Sequence, residues 1–408
     1  MEALHPRCAF LDVHKATVEA CVRCLEGGQA RQETRRFGTT TGELLILRQW
    51  LLEQRVSKVG MEATGVYWQP VWNILEDGLD LLLANPAHMK HLPGRKSDVR
   101  DAQWGAELLQ FGLLKPSLVL PRPMRQAREL TRQYSQFVGE HTRVVNRLHK
   151  VLQEANLKLS SVMSDVMGAS GRDMIQALIA GESDPAKLAD LARRQLRGKI
   201  PQLRQALTGK VTEHHRFMLE LLWDHLQHLE DLLARLERKI DEALRPFEGA
   251  VQRLDTIHGV DRRVAQSLIA ETGGDMSRFP TAGHLASWAA VCPGQHESAG
   301  RSKGGRTRPG NRWLRTTLVQ AAWGASHKKD SHLASQFKRL AKHHGRRRAL
   351  IAVGHSILVI AYHLLNDGTD YLDLGGDYYE RRDSQRLQKQ LVRRLERLGF
   401  NVTLAPAA

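Results

Sequence analysis

The sequence has 408 residues, 42% of them hydrophobic, which is enough for two or three folded domains with ordinary cores. Its 60 lysines and arginines against 44 acids give a formal net charge of +16, which points to nucleic acid or an anionic membrane surface as a partner. Four cysteines, no signal-peptide pattern and no apolar run long enough to span a bilayer argue against secreted and membrane proteins, and predict a cytoplasmic protein with reduced thiols.

The first 115 residues predict alternating strands and helices, because short apolar runs are separated by segments with helical spacing. The predicted strands cover residues 8–13, 17–23, 35–38, 58–62 and 79–84, and the predicted helices cover residues 41–54, 66–76 and 98–111. This order, β-β-β-α-β-α-β-α, is that of an α/β domain of the RNase H type. In such a domain, acids gather at the edge of the sheet where strand ends converge.

Four carboxylates in this part of the chain are candidate metal ligands. Asp12 lies inside an apolar strand and Glu62 ends another, where a carboxylate is costly unless it is paired or bound to a metal. Asp98 and Asp101 share one face of a helix start, although either alone could simply favour the positive helix N-terminus. Together the four suit divalent ions, Mg²⁺ or Mn²⁺, that act on phosphodiesters.

Two long helices are predicted in the middle of the chain, at residues 124–155 and 214–247. Apolar residues in the second repeat every three or four positions from Leu222 to Phe247, which is the heptad pattern of a coiled coil. The pattern fits an antiparallel coiled-coil arm formed with the first helix, a dimer contact, or ordinary packing within the chain. Residues 157–213 predict a helical insertion interrupted by glycine and proline.

From about residue 250 the sequence predicts a mainly helical region. An Ile-x-Gly-Val turn at residues 257–260 is typical of a helix-hairpin-helix, in which Gly259 would expose backbone N–H groups to a phosphate. Any tight turn between helices also favours glycine. Further helices are predicted at residues 263–271, 285–291, 311–327, 331–343 and 346–365, followed by a basic amphipathic helix at residues 383–398.

Residues 301–350 carry much of the positive charge, with fourteen lysines and arginines and one acid, Asp330. A phosphate-contacting surface is the better interpretation of this segment, and a solvated basic face is the alternative. The candidate phosphate ligands are Arg301, Lys303, Arg306, Arg308, Arg312 and Arg315. Ser298 precedes this glycine-rich loop and is a candidate nucleophile, since such a serine needs exposure and nearby cations. From spacing alone an ordinary polar loop is the better interpretation, and Ser302 is an equal candidate on composition.

Two sets of motifs resemble the DEDD transposases of the insertion-sequence one-ten family, relatives of the Piv DNA invertase. The first set is Asp12-Val13-His14-Lys15, Met61-Glu62-Ala63-Thr64-Gly65-Val66-Tyr67 and Lys96-Ser97-Asp98-Val99-Arg100-Asp101-Ala102. The second is Ile257-His258-Gly259-Val260, the region of Phe279, the stretch from Pro293 through Ser298 to Gly310, and Leu314-Arg315. Both sets occur in the order of the family, and the match covers most of the chain except residues 157–213 and the tail.

The resemblance and the element pattern together predict four segments. Residues 1–120 form a RuvC-like catalytic domain, and residues 121–250 form the long helices, or coiled coil, with the insertion at 157–213. Residues 251–370 form a transposase domain with a helix-hairpin-helix and the catalytic serine, which the family's glutamate-serine pair assigns to Ser298. Residues 371–408 form a basic tail.

The resemblance implies a bacterial, nucleoid-associated recombinase that mobilises its own insertion element. Family members cut and rejoin DNA through a serine–phosphate linkage, with Mg²⁺ in the carboxylate cluster and half-sites brought together across the subunits of a dimer or tetramer. In characterised relatives a structured bridge RNA pairs with donor and target DNA, so that base pairing reads the sequence. The alternatives are a RuvC-like Holliday-junction endonuclease that uses water, a DNA invertase without an RNA guide, and a non-catalytic nucleic-acid scaffold.

Overall fold

The computed structural model describes residues 3–26, 29–62, 65–89, 98–292, 297–298, 301–302, 307, 310–382 and 384–403. The chain divides into two compact units, Met1–Leu120 and Pro121–Ala408. The first unit holds a five-stranded sheet with helices, and the second is mostly helical. The predicted division of the second unit near residues 250 and 370 stays a prediction.

The first unit has the element order that the sequence predicts, with one short helix added before the last. Its strands are β1 (Arg7–Val13), β2 (Thr17–Glu26), β3 (Gln29–Gly38), β4 (Lys58–Glu62) and β5 (Leu81–Ala84). Its helices are α1 (Thr41–Glu53), α2 (Trp68–Leu75), the added α3 (Pro86–Met89) and α4 (Asp98–Gln110).

The sheet has the strand order β3-β2-β1-β4-β5. The first three strands form an antiparallel meander. Strand β4 pairs in parallel with β1, and β5 pairs in parallel with β4. Leu11 of β1 lies opposite Met61 of β4, so these two strands end side by side at the same edge of the sheet. This pairing brings residues 12 and 62, which are far apart in sequence, to neighbouring positions.

Each face of the sheet has its own apolar core, because side chains alternate along a strand. Leu11 and Met61 pack with α1 and α2 on one face. The other face, called the α4 face here, carries Phe10, Cys21 and Ala84 and packs against Ala102, Ala106 and Leu109 of α4. The small residues of α4 let this helix lie close to β1 and β2.

The second unit begins with long helices and ends with a helical bundle. Its helices are α5 (Arg122–Glu154), α6 (Ala169–Ile179), α7 (Pro185–Asp190), α8 (Ile200–Leu207), α9 (Glu213–Ala243), α10 (Glu248–Asp255), α11 (Arg262–Thr272), α12 (Ala282–Trp288), α13 (Arg312–Ser326), α14 (His332–His344), α15 (Arg346–Asp367), α16 (Tyr378–Arg382) and α17 (Ser384–Arg397). Its strands are β6 (Glu297–Ser298) and β7 (Arg301–Ser302).

Helices α5 and α9 pack against each other in opposite directions. The hydroxyl of Tyr134 donates to Glu237 at 2.9 Å, and two turns further along α5 the ring of His141 lies 3.2 Å from Glu230. Part of the predicted heptad seam, including Leu222 and Leu226, is buried in one core with residues of α5, α6, α7 and α8. Packing within the chain therefore accounts for that part of the seam, and a coiled coil or a dimer contact stays a prediction.

Helix α15 is the one described helix whose length and composition would allow it to cross a membrane. It contacts α10, α12, α13 and α14, and Val353, Ile357 and Leu358 are buried among them. Gly354 is also enclosed, because a Cβ atom there would lie 3.2 Å from the backbone oxygen of Leu318. These contacts are those of a central helix in a folded unit.

Candidate functional site

Asp12 and Glu62 lie on neighbouring strands at the edge where β1 and β4 end. Leu11 of β1 lies opposite Met61 of β4, and Asp12 and Glu62 are the next residues on these two strands. Adjacent strands are about 4.8 Å apart. Phe10 and Gly60 both face α4, so the residues two positions further on, Asp12 and Glu62, point to the same face. Asp12 is 9% exposed. We call this pair the carboxylate edge.

Helix α4 brings its first turn, with Asp98 and Asp101, to the sheet face that carries the carboxylate edge. The apolar stripe of this helix packs on β1 and β2, and Asp101 is half-buried. The side chain of Asp98 lies outside the described part of the structure. Among the described side chains, no three histidine, cysteine or acidic residues lie close enough together to enclose a metal ion.

The donors of the carboxylate edge fit a magnesium ion even so. Mg²⁺ is usually held by one or two carboxylates, and it completes its shell with water and with the phosphates of a substrate. Asp12 and Glu62, side by side on one face, supply that number of hard oxygen ligands. The ring of His14 also lies beside Asp12: its Nε2 is 3.2 Å from Oδ2, and the side chain is half exposed in the β1–β2 turn.

A further acid, Glu19, belongs to this edge and is not among the sequence-predicted site residues. It lies in β2 directly opposite Asp12 and is only 4% exposed. Its carboxylate forms an ion pair with Arg36, the residue opposite it in β3. The alternation in residues 17–23 shows that Glu19 shares a face with Cys21, but it does not show that α4 covers that face.

Ser298, the predicted nucleophile, lies in the short strand β6 of the second unit. This strand pairs with β7 in an antiparallel arrangement that sets Ser298 opposite Arg301 and Glu297 opposite Ser302. Only the backbone of these four residues is described. Lys303, Arg306 and Arg308, which we predict to bind phosphate, lie outside the described residues.

The first helix after this basic loop, α13, is joined to other helices of the second unit by a buried carboxylate. Glu271 is 2% exposed; its oxygens accept from Arg132 at 2.6 and 2.8 Å and from the amide of Asn311 at 2.6 Å. Asn311 in turn caps α13, because its side-chain oxygen accepts from the N–H groups of Trp313 and Leu314 at 3.1 Å. A polar residue in an apolar helix is the one sequence signal for this network.

Two of the predicted phosphate ligands are placed by α13. Arg312 is exposed, and its guanidinium lies 4.8 Å from the centre of the Trp313 ring. Arg315, one turn later, is half-buried and lies 3.5 Å from the hydroxyl of Thr307. Both residues lie in the first turn of α13, directly after the basic loop, and their spacing of three places them on one face of the helix.

Backbone conformation and packing account for the glycine in the turn between α10 and α11, without a ligand. Gly259 has φ of +85°, and a Cβ atom there would lie 2.2 Å from the backbone oxygen of Ala321 in α13. Asp261 caps α11 by accepting from the N–H of Val264 at 2.8 Å, which places a carboxylate at the helix end where a phosphate would bind. A helix-hairpin-helix that contacts DNA through Gly259 therefore stays a prediction.

Comparison with protein families gives two matches along the chain. Residues 11–157 match a model described as a transposase, of the DEDD type named after IS110, the insertion-sequence one-ten family. Residues 251–338 match a model described as the transposase IS116/IS110/IS902 family. The first match contains the carboxylate edge and α4, and the second contains Ser298 and α13.

Curated relatives agree with these two matches. The chain is 26% identical over 268 residues, 65% of its length and 70% of the relative's, to a probable family 20 transposase of Pseudomonas aeruginosa. It is also 26% identical over 275 residues, 61% of its length and 67% of the relative's, to an insertion element IS110 uncharacterized 43.6 kDa protein of Streptomyces coelicolor.

Proposed function

Because the chain belongs to the IS110 family of transposases, we propose that it mobilises its own element by serine attack on DNA phosphodiesters with the help of a divalent metal. Asp12, Glu62, Asp98 and Asp101 hold Mg²⁺ or Mn²⁺, and Ser298 is the nucleophile. The RNase H-like fold of the first unit and the action on DNA follow from the family, and the residue roles are the proposal.

The observation that carries the proposal is the carboxylate edge. Parallel pairing of β1 with β4 sets two carboxylates side by side, and the helix that begins with two more acids covers the same face. A bound Mg²⁺ would polarise a phosphate oxygen and stabilise charge that develops on the attacking or leaving oxygen.

Serine chemistry explains how a recombinase can rejoin what it cuts. The Oγ atom of Ser298 forms a bond to phosphorus while one bond from phosphorus to a deoxyribose oxygen breaks, and that oxygen leaves as a hydroxyl. The number of phosphate ester bonds is unchanged, so a hydroxyl of another strand can reverse the step without an energy source. The basic residues near Ser298, including Arg312 and Arg315, would hold the phosphate.

The partners follow from the charge. The basic segment 301–350 fits a nucleic-acid backbone, whose phosphates it would contact without reading sequence. We propose donor and target DNA as substrates and a structured bridge RNA from the same element as the guide that reads their sequences. A homodimer or homotetramer would hold the two half-sites.

The test replaces one residue of each chemical group in the full chain. Asp12→Ala and Ser298→Ala should each abolish excision of the element in cells, measured by amplification across the empty donor site. Asp80→Ala is the matched control, because Asp80 precedes β5 at the other end of the sheet and its exposed carboxylate pairs with Lys58. It should excise normally.

Trapping of a protein–DNA adduct separates the serine mechanism from its rivals. The wild-type chain should form a covalent adduct with a nicked element end, and Ser298→Ala should form none. Excision by Ser298→Ala would refute the assignment and favour a junction endonuclease in which water attacks. Excision by Asp12→Ala would refute the metal site.

A further inference from the structure

Four charged residues form one row across the sheet at the carboxylate edge. Glu19 of β2 lies opposite Asp12 of β1 on one side and opposite Arg36 of β3 on the other. Glu62 continues the row on β4, one position beyond the last recorded pair. Directly opposite side chains have Cβ atoms about 4.5–5.5 Å apart, so the row places a cation two strands away from the metal-binding carboxylate.

The two middle acids of this row, Asp12 and Glu19, would repel each other without a counter-charge. Both are nearly buried, and like charges directly opposite on neighbouring strands are unfavourable. Arg36 supplies that counter-charge through its Nε, which donates to the carboxylate of Glu19. The ion pair therefore offsets the charge of Glu19, which lies opposite Asp12, while Asp12 and Glu62 lie side by side as the carboxylates of the proposed metal site.

Arg36 has more hydrogen-bond capacity than Glu19 uses. An arginine has five N–H donors, and its side chain here remains 66% exposed while that of Glu19 is 5% exposed. The contact with Glu19 also fixes the plane of the guanidinium, which lowers the entropy lost when a second partner binds. A planar fork of this kind matches the two oxygens of a phosphate.

We propose that Arg36 contacts a phosphate of the DNA strand that is cut at the carboxylate edge, and that Glu19 is the positioning residue that holds the guanidinium toward it. The inference rests on the proposed function, since a DNA strand that is cut at the carboxylate edge must pass beside Arg36. It adds a DNA contact from the first unit to those expected from the basic loop of the second.

The neighbouring residue Arg35 provides a matched control. It lies on the same strand and is also paired with a glutamate, Glu33, at 2.7 Å. Its guanidinium lies 5.0 Å from the centre of the Trp50 ring, on the sheet face that packs with α1. Arg35→Ala therefore removes the same charge from the same strand on the opposite face.

The experiment neutralises single phosphates of the element end with methylphosphonates and measures equilibrium binding to the full chain. RNA transcribed from the element is present, and EDTA keeps the DNA intact. One neutralised phosphate near the cut should weaken wild-type binding about tenfold, as expected for a charge-assisted contact. Arg36→Ala should lose the same affinity for unmodified DNA and show no further loss at that phosphate, whereas Arg35→Ala should remain as sensitive as wild type.

Further variants separate positioning from folding. Glu19→Gln should reduce the sensitivity at that phosphate, because a neutral amide orients the guanidinium less firmly. Arg36→Ala leaves a buried carboxylate without its partner, which destabilises the fold. The double variant Glu19→Gln, Arg36→Ala removes that unpaired charge, so it should fold and still lack the contact with the phosphate. If Arg36→Ala or this double variant stays as sensitive as wild type at every phosphate, the proposal is overturned.

The binding readout needs no metal, so it is independent of the excision test on Asp12. If Arg36→Ala loses the phosphate contact and Asp12→Ala still excises the element, the proposed DNA contact is supported and the proposed metal site is refuted. If Arg36→Ala keeps the phosphate contact and Asp12→Ala is inactive, the proposed DNA contact is refuted and the proposed metal site is supported.

Discussion

Phe10 sets how closely α4 approaches the sheet. Its ring occupies a notch formed by two glycines, Gly60 of β4 and Gly105 of α4. A Cβ atom at position 105 would lie 2.3 Å from this ring, and one at position 60 would lie 2.7 Å from it. Because Asp12 is two residues after Phe10 on the same face, the notch also fixes the distance between the carboxylate edge and the first turn of α4.

Gly105→Ala should therefore disturb both stability and activity. The added methyl group cannot fit against a fully buried ring, so we expect a loss of about 1–3 kcal/mol in the free energy of unfolding. The displaced helix would also move Asp98 and Asp101, and excision should fall about tenfold or more. Urea denaturation of the full chain and the excision assay measure the two effects.

Two further variants check that the ring is the cause. Gly249→Ala places alanine in α10 where a Cβ meets nothing within 4 Å, and it should be neutral or stabilising. Phe10→Leu combined with Gly105→Ala should recover part of the lost stability, because the smaller side chain makes room. If Gly105→Ala is as stable and active as wild type, α4 is not held by this notch.

Glu19 shows what residue-level reasoning from sequence could and could not find. The acids at positions 12 and 62 stand out because each lies in an apolar strand. Glu19 lies in an alternating segment, where a charged residue is ordinarily read as solvent-facing. Only the register of the β1–β2 hairpin, together with the position of α4, shows that it is buried opposite Asp12.

Among the elements, strand β3 is the hardest to delimit from sequence. Sequence predicts a strand at residues 35–38, but β3 runs through Gln29–Gly38. Most of its residues are exposed and polar, and it is held as an edge strand by backbone hydrogen bonds to β2, which leave no apolar pattern to read. The strong apolar strands β1 and β4 were predicted within one residue.

The heptad pattern of α9 predicts a packed helix but not its partners. Leu222 and Leu226 satisfy the pattern by packing with α5 and with the helices of the 157–213 insertion. Many combinations of neighbours fulfil the same spacing, so periodicity cannot choose between them. The ion pairs that specify this arrangement, such as Arg172 with Glu230, join residues 58 positions apart.

Glu230 makes the junction of α5, α6 and α9 sensitive to pH. The Arg172 guanidinium donates to this carboxylate and, with His141, holds the pKa of Glu230 below its ordinary value of 4.5. A folded-state pKa below the unfolded one contributes stability that is present above pH 4.5 and is lost as the pH falls through the folded value.

Glu230→Gln should therefore cost stability near neutral pH and little in acid. About a third of the Glu230 side chain is exposed, so we expect a modest loss of roughly 0.5–1 kcal/mol above pH 4.5. The difference from wild type in urea denaturation should shrink as the pH falls below 4.5. A difference that stays constant across this range would mean that the carboxylate charge is not what stabilises the junction.

At the scale of the whole molecule, chemistry and charge are divided between the two units. The first unit, Met1–Leu120, supplies the carboxylate edge, and the second, Pro121–Ala408, supplies Ser298 and the basic segment 301–350. The sequence predicts this division, because strand-rich and helix-rich segments differ in period and the basic residues cluster in one of them. The networks that support each part, such as Glu271 with Arg132 and Asn311, depend on contacts that only folding creates.

If carboxylates distant in sequence share one divalent ion, iron bound in its place should cleave the full chain beside each of them. Fe²⁺ bound in place of Mg²⁺ produces hydroxyl radicals with ascorbate and peroxide, and these cut the backbone beside the ion. Three sets of cuts are expected, near residues 12, 62 and 98–101, and these cuts should be suppressed by excess Mg²⁺ and absent in Asp12→Ala. Cuts confined to one of these segments, or a pattern unchanged in Asp12→Ala, would contradict a shared ion.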